Sequence, residues 1–125
     1  MAVGHTLVIA GDPDQARDAV HRALIDQGFT VSPGDAGQST AERGSRSASV
    51  MLGSLTDPKR RYLHVTIAGQ AGEDGDAIVT LTAGTTGWSG GIAAKTQAEE
   101  AYRGVFARVA ESLREADLLR ADEAV

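Results

Sequence analysis

Along this chain apolar residues alternate with polar ones in some stretches and recur every three or four residues in others. The two periods separate strands from helices. Residues 61–67 form the cleanest strand: Leu63, Val65 and Ile67 point one way, Tyr62, His64 and Thr66 the other. Residues 77–83 repeat the pattern, with Val79 and Leu81 on one face. Residues 5–10 carry the short apolar run Leu7-Val8-Ile9 and close on Gly11. Residues 29–32 and 38–43 flank Pro33-Gly34-Asp35-Ala36-Gly37, whose composition is that of a turn, so they read as a hairpin. Residues 45–55 are ambiguous. Ala48, Val50 and Leu52 alternate as in a strand, while Val50, Met51 and Leu52 also suit a short helix. Strand is the reading adopted for them.

Two stretches have the helical period. Asp12 is a good N-cap, Pro13 suits the first helical position and Gln15 sits where a capping box needs it. Ala16, Val20, Ala23 and Leu24 then make one stripe, and Gly28 stands where a glycine ends a helix, so a helix is expected over 13–27. Further on, Thr96-Gln97-Ala98-Glu99 matches a capping box. Ala98, Tyr102, Phe106, Val109, Leu113 and Ala116 continue it as an apolar stripe. That helix is expected to reach about residue 119, roughly 36 Å at 1.5 Å per residue. The last residues, 122–125, are expected to fray.

With the ambiguous stretch 45–55 left out, the order is therefore β-α-β-β-β-β-α. Short connections between consecutive strands favour an antiparallel sheet, and two amphipathic helices can cover its apolar face. The expectation is one α+β domain over 1–125, a two-layer sandwich with an antiparallel sheet packed on a long C-terminal helix. In element order, and in the glycine-rich entry to its last helix, the chain resembles the helix-grip architecture. It is similar in outline to START-like and Bet v 1-like proteins and to the shorter TATA-binding-protein-like sandwich. That resemblance implies a ligand held between sheet and helix.

Composition narrows the function. Aromatic residues make up only 4% of the chain, so the core must be built from Ala, Val, Leu and Ile. A net charge of −5 argues against general nucleic-acid binding, which needs clustered cations. The absence of cysteine removes disulfides, thiol catalysis and thiolate metal sites. Residues 1–5 have no basic lead and the apolar run 7–10 is too short for a signal or a membrane span, which points to the cytoplasm. Arginine outnumbers lysine ten to two and alanine is abundant, a composition suggestive of a GC-rich bacterial genome.

The segment entering the last helix holds Gly84, Gly87, Gly90 and Gly91 and the only tryptophan, Trp88. Glycine lets backbone approach a ligand closely, and a helix N-terminus offers unpaired N–H groups. Gly87, Trp88, Ser89, Gly90, Gly91 and Tyr102 are the candidate ligand residues. Trp88 reads either as a plug at the end of the core or as the lining of an opening. Gly87-Trp88-Ser89-Gly90-Gly91 also spells G-x-S-x-G. That motif needs a later histidine, whereas His5, His21 and His64 all precede it. The residues before Lys95 lack the glycines of a P-loop, and no metal-ligand spacing occurs. No enzyme and no cofactor is expected.

Between residues 42 and 61 five basic residues face two acidic ones on an otherwise acidic chain. Arg43, Arg46, Arg60 and Arg61 are candidates for an anionic ligand or partner, with hairpin-end solvation as the plain alternative. The expected function is a non-enzymatic binding protein for a small apolar or amphipathic ligand. The alternative is an interaction or regulatory module, acting as a homodimer or on a partner through a sheet edge or the basic strip. Neither nucleic acid nor membrane is expected as a partner.

Overall fold

The structure is a computed structural model that describes residues 3–34, 37–44, 63–72, 75–84 and 91–124, with 91–97 and 124 described by backbone alone. The elements are β1 Gly4–Ala10, α1 Pro13–Asp26, β2 Thr30–Pro33, β3 Gln38–Arg43, β4 Leu63–Ala71, β5 Asp76–Ala83, α2 Gly91–Glu115 and β6 Leu119–Ala124. All six strands form one antiparallel sheet in the order β2-β3-β4-β5-β1-β6. The α+β class and the expected element order are those found, with one strand added at the end. The ambiguous residues 45–55 lie outside the described part.

Sequence periodicity becomes a core directly. Leu7 and Ile9 of β1, Leu63, Val65 and Ile67 of β4, and Val79 and Leu81 of β5 are all fully buried on one face. Ala16, Val20, Ala23 and Leu24 of α1 and Tyr102, Phe106, Val109 and Leu113 of α2 pack onto them in one cluster. Both helices thus cover the same face.

The start and stop of α1 follow the sequence signals. Asp12 accepts a hydrogen bond from the Gln15 N–H at 2.8 Å. At the other end Gly28, at φ +92°, donates to the Ile25 carbonyl and Phe29 donates to that of Leu24, the paired bonds of a Schellman motif. The end of α2 differs from expectation: the helix stops at Glu115, and Ala116 is exposed. The same paired bonds close it, Asp117 to Arg114 and Leu118 to Leu113, with Asp117 at φ +62°. An aspartate tolerates this left-handed conformation better than most residues, so the helix ends without glycine.

The chain then turns back as β6 instead of fraying. Residues 119–124 pair with β1, with a bulge between Val8 and Ile9. Asp122 fixes the strand: its carboxylate sits 2.8 Å from His5 Nε2 and 3.5 Å from the Arg114 guanidinium. β4 is also longer than expected, running on to Ala71. Among the described residues no helix is long and apolar enough to cross a membrane.

Candidate functional site

The apolar stripe of α1 faces the sheet, but its flank toward α2 is built from small side chains. Ala19 and Ala23 lie one turn apart there, and Ala116 and Leu118 stand opposite at the end of α2. Small residues on both walls hold the helices without filling the space between them. Two open depressions result, of about 240 and 190 Å³. They share Ala19, Arg22 and Leu118, so they are two ends of one groove. Ile9 and Ala10 close one end, and Leu113 with Ala116 floors the other.

Polar groups rim this apolar floor. Gln15 and Asp18 stand at the first end, Asp26 and Ser112 at the second, and Arg22 reaches both. Among the described residues no ion pair engages Asp18, Arg22 or Asp26. Ile25 lies three residues beyond Arg22, so it neighbours it on the helix surface, and it is 54% exposed. The groove therefore offers an apolar bed, an apolar lip and charges of both signs.

A second cluster lies under the other flank of α1. His21 Nε2 is 2.7 Å from Ser39 Oγ, a pairing the sequence did not signal because 18 residues separate the two. A serine on an imidazole is the first half of a nucleophilic dyad. Here Ser39 is 3% exposed, too enclosed for a substrate, and the pair satisfies two polar groups beneath the helix. Burial lowers the His21 pKa, opposed by Asp18 and assisted by Arg17. A folded state that resists protonation binds fewer protons than the unfolded chain. Stability is accordingly complete above the ordinary value of 6.5 and falls as the pH drops through the lowered folded value. His21→Gln should flatten this acid limb in urea melts at a series of pH values, and an unchanged limb would assign the loss elsewhere.

Of the expected ligand residues, Gly87, Trp88, Ser89 and Gly90 lie outside the described part, and Gly91 is the first residue of α2. Tyr102 is fully buried, and its hydroxyl accepts a hydrogen bond from the His64 N–H at 3.0 Å. Within the basic strip Arg46, Arg60 and Arg61 also lie outside the described part. Arg43 is engaged internally: it donates to the Gln27 carbonyl at 3.0 Å and stacks over the Phe29 ring at 4.9 Å. Burial lowers its pKa. It thus caps the C-terminal end of α1, where a cation meets unpaired carbonyls.

The groove itself was not anticipated. Its one sequence signal was Ala19, which extends the α1 stripe sideways with a side chain too small to fill the flank. No family model matches this chain, and no curated protein sequence matches it.

Proposed function

We propose that this chain is a non-enzymatic binding protein whose groove between α1 and the C-terminal end of α2 takes a small amphipathic ligand. The observation that carries the reading is the groove's composition: an apolar floor, an arginine shared by both ends and carboxylates on the rim, none of them in an ion pair among the described residues. Taken together its two ends fall in the lower part of the roughly 300–1,000 Å³ range of small-molecule sites. An apolar chain would bury surface against Ala19, Leu113, Ala116 and Leu118, and a polar head would meet Arg22 or the two aspartates. The helix-grip likeness belongs to the same proposal, with the ligand moved from the glycine-rich entry of the last helix to its C-terminal end. In the middle, side chains such as Tyr102 and Phe106 already fill the space between helix and sheet.

The probe is anilinonaphthalene sulfonate, an anionic amphiphile that fluoresces when it leaves water. It should bind the native protein saturably. Ala19→Phe puts a ring into the junction of the two ends from a half-buried position at the border of the core. That variant should bind the probe at least tenfold more weakly, about 1.4 kcal/mol, with an unchanged circular dichroism spectrum. Equal binding by the variant, or no saturable binding by the parent, would count against the groove.

A further inference from the structure

Arg22 stands midway along the side of α1 that lines the groove. Asp18 lies four residues before it and Asp26 four residues after it, so the helix sets one carboxylate a turn away on either side. That spacing suits ion pairs, yet none joins the three among the described residues. All three are exposed on the rim, above a floor of alanine, isoleucine and leucine.

The two ends of the groove differ in polarity. The helices run antiparallel. Gln27 donates to the Val105 carbonyl at 3.2 Å, and the last turn of α2 comes to lie beside Ala19 and Ala23. A helix C-terminus carries a partial negative charge and favours a cation. The one basic residue in the last turn of α2 is Arg114, and its guanidinium is turned to Asp122 at 3.5 Å. The C-terminal end of α1 already holds Arg43 on the Gln27 carbonyl. The second end of the groove, with Asp26 and the Ser112 hydroxyl beside the last turn of α2, is therefore where a cation is stabilised most.

We propose that the ligand is a zwitterion on a short apolar tail, with an ammonium and a carboxylate borne on one carbon as in an α-amino acid. The inference rests on the groove reading and adds the head group to it. The ligand carboxylate accepts from the Arg22 guanidinium, whose planar fork suits it. Its ammonium donates to the Asp26 carboxylate and the Ser112 hydroxyl, and its tail covers Leu113 and Ala116. A simple cation would meet Arg22 and a simple anion would meet Asp26, whereas a head of both signs sets no like charges together. A zwitterion is also indifferent to the net charge of −5, which repels anions in general.

Four probes with the same number of carbons test this: α-aminooctanoate, octanoate, octylamine and octanol. Each is titrated into the labelled full chain and followed by its amide resonances. α-Aminooctanoate should bind about fivefold more tightly than octanol, and more tightly than either singly charged probe. Arg22→Gln should weaken α-aminooctanoate and octanoate but not octylamine. Asp26→Asn should weaken α-aminooctanoate and octylamine but not octanoate. Both residues are exposed, so both variants should keep the circular dichroism spectrum of the parent. Saturable octanol shifts at Ala19 and Leu118 with no gain from the zwitterionic head would overturn this inference and leave the groove standing. No saturable shift from any of the four would overturn both. A gain that survives both substitutions, or one lost with Asp18→Asn in place of Asp26→Asn, would put the head elsewhere and overturn the assignment.

Discussion

Phe106→Ala should lower the unfolding free energy by about 3–5 kcal/mol, the largest loss expected from a single side chain here. Phe106 is 1% exposed and lies between α2 and β1. Its ring stands 6.5 Å from that of His5 on β1, edge to face, and 6.1 Å from that of Tyr102 on its own helix. Truncation removes the transfer free energy of the ring and leaves a cavity. The sheet cannot close that cavity, because the side chains of its core face, Leu7 and Leu81 among them, are already fully buried in close packing. Urea unfolding followed by circular dichroism measures the change. A loss under about 1 kcal/mol would mean that α2 does not rest on the sheet in this way.

Ending the chain after Leu118 should be about as damaging, at roughly 3 kcal/mol or more. The cut removes β6 and exposes one long side of β1. It leaves the His5 ring, in a residue 8% exposed, without the Asp122 carboxylate, and an abandoned buried polar group costs about 1–3 kcal/mol. It also strips Leu119 from the core it packs against. Shortening the chain lowers the ordering entropy and offsets part of this. An unchanged urea midpoint would show that residues 119–124 are not docked on β1.

The contrast between the two ends of the molecule explains what was legible in the sequence. Strands β1, β4 and β5 and both helices announce themselves through one-sided patterns, because their apolar sides face a single core. α1 was placed to within a residue because Asp12, Pro13 and Gly28 each have one local structural meaning. β6 gave no such sign. Its sequence, Leu-Arg-Ala-Asp-Glu-Ala, is that of a charged edge strand, and the turn before it uses Asp117 where a glycine would have been recognised. Its pairing with β1 joins residues more than a hundred positions apart, which local patterning cannot report.

The groove was illegible for a related reason. A cavity is made by what two surfaces fail to fill, and Ala19 and Ala116 look like ordinary helix residues until α1 and the end of α2 are set side by side. Arg43 shows the opposite error. It reads as part of a surface charge strip, yet its guanidinium lies over the Phe29 ring and donates to the Gln27 carbonyl at the end of a helix. Long cationic side chains do this wherever an apolar surface and a carbonyl lie within reach.

The binding groove is tested most directly by following the amide resonances of the labelled protein as dodecanoate, and separately dodecyltrimethylammonium, is added. The two probes share an apolar chain and differ in the sign of the head, so they also report whether Arg22 or the aspartates dominate. The groove reading predicts saturable shifts that cluster on Ala19, Arg22, Ser112 and Leu118 for at least one of them. Saturable shifts centred elsewhere, or none that saturate for either probe, would contradict it.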